Sequence, residues 1–196
     1  MAEKGRLCKK ITENLYIGEF DILHELSSAI IAYDQYGVSG PLVDITCVIN
    51  LSSRYYNPDE IPLPDIIIED HLPVPQNEPM ASDVTGHREK YGFAAECISQ
   101  LILAGNVVLI VCDTGRKQSA AVAAKYVTAG KVATYEDIEF AYVSTADRER
   151  YKAINTSILQ HTHDDKFVLP PEDKKFYESV MNDRICLSPA YRLIMQ

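Results

Sequence analysis

Three short apolar runs stand out along the chain: residues 45–51 (ITCVINL), 65–69 (DIIIE) and 107–112 (VVLIVC). Each is rich in β-branched side chains and bounded by turn-forming residues, which predicts a strand. Their apolar character is continuous rather than alternating, so strands covered on both faces are expected. Residues 14–17 (NLYI), closed by Gly18, predict one more. Between these runs the period lengthens. Residues 20–33 and 87–103 carry apolar side chains three and four positions apart, the spacing of amphipathic helices. In the second, Tyr91, Ala94, Ala95, Ile98, Leu101 and Ile102 share one side, and Gly105 stands where a C-terminal stop belongs. An alanine-rich helix over 118–128 closes at Gly130, and 135–143 and 174–182 predict two more. Strands alternating with helices give an α/β fold, with a central, mostly parallel sheet of four or five strands flanked by helices. Residues 70–82, with three prolines, predict an exposed connection. The polar stretch 161–172 predicts the end of the main domain, which divides the chain into a domain over 8–165 and a helical C-terminal extension over 166–196.

The most informative segment is 107–125, VVLIVCDTGRKQSAAVAAK. A buried strand ends at Cys112, a short loop follows, and a helix begins near Gln118 or Ser119. In such a turn the loop amides and the helix N-terminus converge on one point, which suits an anion. The thiol of Cys112 lies in the same field, which favours the nucleophilic thiolate. Gly115 lets the backbone curl tightly around the bound group. A phosphate cradle and a thiol nucleophile are thus expected in one loop.

On these residues the chain resembles the cysteine-dependent dual-specificity protein phosphatases, whose signature is His-Cys-x-x-Gly-x-x-Arg-Ser. The corresponding stretch here runs from Val111 through Cys112, Asp113, Thr114, Gly115, Arg116, Lys117 and Gln118 to Ser119. Residues 11–18 and 45–52 resemble the family's first two strands, and 71–78 the stretch ending at its general acid. Residues 134–143 and 154–160 resemble its helical regions after the loop. The resemblance implies the cysteine-phosphatase fold, with Cys112 in the nucleophile position and Glu78 in the general-acid position. It also implies that Ser119 assists departure of the sulfur, and that residues 113–118 form the phosphate-binding loop.

Four departures bear on activity. The family's arginine, which grips two phosphate oxygens with a planar charged fork, is replaced by neutral Gln118. One oxyanion donor is worth about 3–4 kcal/mol of transition-state stabilisation, so its loss predicts roughly a thousandfold slower turnover. The supporting histidine before the cysteine is Val111. The general-acid aspartate is Glu78, whose extra methylene displaces the carboxyl. Asp113 adds negative charge where a dianion binds. The first reading is therefore a pseudophosphatase that binds phosphorylated or signalling proteins without hydrolysing them. The alternative is an active phosphatase acting on phosphotyrosine and phosphoserine or phosphothreonine, in which Arg116 or Lys117 supplies the missing charge. A third, RNA 5′-triphosphatase activity, is disfavoured by the net charge of −9 and the lack of a basic stripe.

Composition narrows the setting. Apolar residues make up 46% and charged residues 24%, which suits a folded domain rather than a disordered or fibrous chain. No apolar run reaches the length of a membrane span, and the charged start MAEKGRLCKK predicts no secretory signal. Neither a myristoylation nor a prenylation motif is present. Five cysteines with no framework spacing (Cys8, Cys47, Cys97, Cys112 and Cys186) predict reduced thiols. These features predict a cytoplasmic protein, with the nucleus as a second location, that needs no cofactor. The run His161, Thr162, His163, Asp164, Asp165 reads as a solvated loop, and no metal site is expected.

Overall fold

The computed structural model of the chain describes residues 8–61, 63, 68–71, 84–130, 135–164 and 166–185. Glu78 and Cys186 lie outside them. In chain order the elements are β1 (Cys8–Thr12), β2 (Leu15–Glu19), α1 (Ile22–Tyr36), β3 (Cys47–Asn50), β4 (Ile68–His71), α2 (Val84–Leu103), β5 (Val108–Cys112), α3 (Gln118–Ala129), α4 (Tyr135–Glu139), α5 (Thr145–Gln160) and α6 (Pro171–Asp183). The sheet runs β1-β2-β5-β3-β4. β2, β5, β3 and β4 are parallel, and β1 closes one edge as an antiparallel hairpin on β2. The expected mostly parallel α/β sheet is the one observed.

β5 runs between β2 and β3, which pair with both its edges, and packed side chains cover both faces of its apolar run. Val108, Ile110 and Cys112 pack on one side with Tyr91, Ala94 and Ile98 of α2 and the Ala120–Ala124 stretch of α3. Leu109 and Val111 pack on the other with Ile22, Leu23, Leu26 and Ile30 of α1. Continuous hydrophobicity in the sequence is the signature of this two-sided burial. The alanines of α3 let its axis lie close to the sheet, and eight of the twelve residues of that helix are buried.

Most boundaries shift by a few residues from the pattern read off the sequence, and four elements differ in an instructive way. β1 was not expected, because CKKIT is polar and half exposed. It is an edge strand, and Lys9 and Lys10 discourage a further strand from pairing there. β4 reaches Asp70 and His71, which the proline-rich connection was expected to include. α4 is shorter than the stretch 135–143 and passes into turns, with the Val143 N–H bonded to the Phe140 carbonyl at 3.0 Å. α5 begins nine residues before the stretch read at 154–160, at Thr145. Its start is set by Ser144, whose side chain accepts from the Asp147 N–H, and its charged first half carries little apolar period. Gly105 does end α2: at φ +90° its N–H bonds to the Ile102 carbonyl at 3.0 Å.

α6 folds back against α5. Val180 joins Phe140 and Tyr151 in a small third cluster, where the rings of Tyr151 and Tyr177 stack at 4.7 Å. Beyond the helix, Ile185 is wholly buried in the main core, and its N–H bonds to the Glu139 carbonyl at 2.7 Å. Burying one such side chain is worth about 2 kcal/mol. His161, in the polar segment between α5 and α6, stacks on Phe167 at 4.5 Å. Among the described residues no helix is long and apolar enough to cross a membrane.

The edge hairpin yields a prediction. Burial, and next the nearby charge of Glu25, push the Cys8 thiol up to about 11. At pH 8 the thiolate is then scarce, and Cys8 should react with iodoacetamide roughly a hundredfold more slowly than an unperturbed thiol. Peptide mass spectrometry should show its alkylation rising only as the pH approaches 11. Modification at the ordinary rate at pH 8 would mean that β1 does not hold Cys8 against α1.

Candidate active site

Cys112 is the last residue of β5, at the carboxyl edge of the parallel strands, where open α/β sheets place their ligands. Its side chain is fully buried. Its carbonyl accepts from the Phe20 N–H at 2.8 Å, which ties the end of β5 to the corner between β2 and α1. The chain then turns sharply. The Gly115 N–H returns to the Cys112 carbonyl at 3.3 Å, and the Arg116 N–H bonds to Thr114 Oγ1 at 3.3 Å. α3 starts at Gln118, so the first-turn amides of Gln118, Ser119 and Ala120 have no acceptor within the helix. Ser119 Oγ lies 3.2 Å from Cys112 Sγ, both atoms buried. A thiol, a helix N-terminus and a hydroxyl therefore meet in one place, an arrangement able to receive a tetrahedral anion and to steady sulfur as it forms or breaks a bond.

Gly115 cannot be replaced without moving backbone. Its φ is +65°, and a Cβ there would lie 2.5 Å from the Glu19 nitrogen and 2.7 Å from the Gly18 carbonyl carbon. The loop is thus pressed directly onto the end of β2. Tyr142, from the turn after α4, holds it from another side by donating to the Gly115 carbonyl at 2.7 Å. Burial, followed by the proximity of Cys112, raises the Tyr142 hydroxyl well above its ordinary value. The group stays protonated and remains a donor. Nothing in the sequence linked Tyr142, 27 positions away, to the loop.

The chain matches no protein-family model and no curated protein by sequence. Its structure does resemble solved ones. It is similar to OH1, a tyrosine phosphatase from the Orf virus, at 15% identity and a TM-score of 0.50, over 96% of this chain and 83% of that one. It is also similar to DUSP15, at 17% identity and a TM-score of 0.51, over 91% of this chain and 97% of the other. The fold is that of the dual-specificity phosphatases. At such identities the likeness concerns the backbone, and the chemistry must be argued from this chain's own side chains.

Those side chains depart from the signature of that fold in specific surroundings. Gln118 is only 1% exposed, so a neutral amide is enclosed in the first turn of α3 where the signature has its arginine. Val111 is wholly buried on the opposite face of the sheet from Cys112, in the cluster with Phe20 and Leu23. Arg116 turns towards α6: Nη1 donates to the Asn182 carbonyl at 2.7 Å, and the guanidinium lies 5.5 Å over the Tyr142 ring. Lys117 and Thr114 are exposed at the rim, and Asp113 is half-buried beside them. The loop therefore brings together Cys112, Asp113, Thr114, Gly115, Arg116, Lys117, Gln118 and Ser119. Glu78 falls outside the described residues.

One polar cluster beside the loop did leave a trace in the sequence. Asn50 interrupts the run ITCVINL at the end of β3, next to Val111 in register. It is fully buried. Its Oδ1 accepts from the Ser52 N–H and hydroxyl at 3.0 and 2.7 Å, and its Nδ2 donates to the Arg54 carbonyl at 2.8 Å. This closed network fixes the turn after β3. Arg54 in turn pairs with Asp21 at 2.7 Å and lies 4.1 Å over the Phe20 ring.

Gly115→Ala should destabilise the chain by about 2 kcal/mol or more, because both the positive φ and the Gly18–Glu19 backbone oppose a Cβ. Urea unfolding is the measurement. A loss below about 0.5 kcal/mol would show that the loop does not sit against β2 as described.

Proposed function

We propose that this chain is a pseudophosphatase: a dual-specificity phosphatase fold that holds a phosphorylated segment of a partner protein at the Cys112 loop without efficient hydrolysis. The observation that carries this reading is Gln118. Enclosed at the start of α3, it offers an uncharged amide where phosphoryl transfer needs a fork of two positively charged donors. The cradle itself has what binding needs, in the helix N-terminus and the tight turn at Gly115. In this reading residues 8–165 are the binding domain and 166–196 an appended segment. Its place is the cytoplasm, with the nucleus second, where phosphorylated signalling proteins occur.

One observation favours a second reading, an active tyrosine or serine/threonine phosphatase. Cys112 Sγ and Ser119 Oγ are 3.2 Å apart, a geometry suited to thiol attack and later departure of the sulfur. In that case Glu78 would deliver the proton to the leaving oxygen.

Turnover of an aryl phosphate separates the two. The unmodified protein should be at least about a thousandfold slower than an active dual-specificity phosphatase, with Cys112→Ser as the blank. Turnover within tenfold of such an enzyme would favour the second reading.

Gln118→Arg should tighten orthovanadate binding by roughly tenfold or more, since a charged fork would again face the loop amides. Hydrolysis should need Val111→His and Glu78→Asp in addition, with gains that are strongly non-additive. Val111→His places an imidazole in a packed apolar cluster, so about 1–3 kcal/mol of stability should be lost on the way. A folded triple variant that neither binds vanadate nor turns over would remove the loop from the protein's function.

A further inference from the structure

An anion-binding loop gains from any cation it carries, yet the Arg116 guanidinium is engaged elsewhere. Its Nη1 donates to the Asn182 carbonyl at 2.7 Å, and its Nη2 lies 3.8 Å from Asp183 Oδ1. Asn182 belongs to the last turn of α6, where carbonyls have no partner within the helix and the helix dipole presents its negative end. A carbonyl, a carboxylate and a dipole end together offer Arg116 what a phosphate would offer it. The Arg116 backbone is meanwhile held inside the loop by Thr114, so a change of partner requires rotation of one side chain rather than refolding of the turn.

We propose that the carboxyl end of α6 competes with a bound oxyanion for Arg116, so that docking of α6 and filling of the Cys112 loop oppose one another. The proposal rests on the reading that the loop takes a phosphate group. α6 is suited to such a role. The helix itself packs on the small cluster of Val180, Phe140 and Tyr151, separate from the two main cores, while Ile185 just beyond its end enters the main core. Segments anchored in this way open at lower free energy than the domain as a whole. The coupling is reciprocal: release of α6 frees Arg116 for the anion, and the anion draws Arg116 away from α6. A partner that captured α6 would thereby raise the affinity of the loop for phosphate.

The test uses the full chain and tungstate as the probe, titrated by calorimetry. Val180→Ala loosens α6 through the third cluster, leaving Asn182 and Asp183 unchanged, and should tighten tungstate binding roughly tenfold, the scale of one charged hydrogen bond. Combined with Arg116→Ala, it should bind no tighter than Arg116→Ala alone. Hydrogen exchange supplies a second readout. Tungstate should speed exchange of the Ile185 amide, which is bonded to the Glu139 carbonyl, and Arg116→Ala should speed it without tungstate. If Val180→Ala does not fold, Ile185→Val serves as the milder release. Loosened α6 with unchanged or weaker tungstate binding overturns the competition and leaves the loop reading standing. Absence of tungstate binding in every variant overturns both.

Discussion

The site depends on a contact between two stretches of backbone. Gly115 lies against Gly18 and Glu19 so closely that a Cβ would be 2.5 Å from the Glu19 nitrogen. The approach is possible because β2 and β5 are parallel neighbours in register, with Glu19 opposite Cys112. It obliges the chain leaving β5 to turn at once and enter α3 above the strand ends. The start of that helix is thereby brought to the cysteine, with Ser119 Oγ 3.2 Å from its sulfur. The bond from the Phe20 N–H to the Cys112 carbonyl and that from Tyr142 to the Gly115 carbonyl hold the same turn from two other directions. The fold thus holds the turn from three sides.

Within that cradle shape and charge have parted company. The backbone offers converging amides, and the thiol and the Ser119 hydroxyl stand at contact distance. Among the described loop residues, the position of the signature arginine carries no charge, Arg116 is turned elsewhere, and Lys117 stands exposed at the rim. Gln118 is neutral and enclosed, Arg116 is bonded to the end of α6, and Val111 belongs to an apolar cluster on the far side of the sheet. In the proposed reading, binding relies on amide dipoles. Transition-state stabilisation needs charge that grows in importance as bonds break, and the proposed loss of hydrolysis rests on the neutral amide of Gln118 at this point.

α6 gives the C-terminal segment a part in this balance. Its apolar face covers α5, its last turn meets the loop, and Ile185 closes the main core. The loop arginine thus reports on whether the helix is docked.

Much of this architecture was legible in the amino-acid order. Continuous apolar runs marked β3 and β5, three- and four-residue spacing marked α1 and α2, and the step from VVLIVC through Gly115 to an alanine-rich helix marked the loop. These signals are local, written by burial and by backbone conformation within a few residues. β1 escaped notice because an edge strand buries too little to show a pattern, and α5 because its first half is charged and its start depends on the Ser144 cap. The partners of Arg116 and Tyr142 could not be read at all, since Asn182 is 66 residues from the one and Gly115 is 27 from the other. Sequence determined which residues line the loop, because chain neighbours stay neighbours. What Arg116 and the Gly115 carbonyl bond to was decided only when α6 and the turn after α4 packed beside the loop, because a flexible side chain takes whichever partner the fold brings within reach.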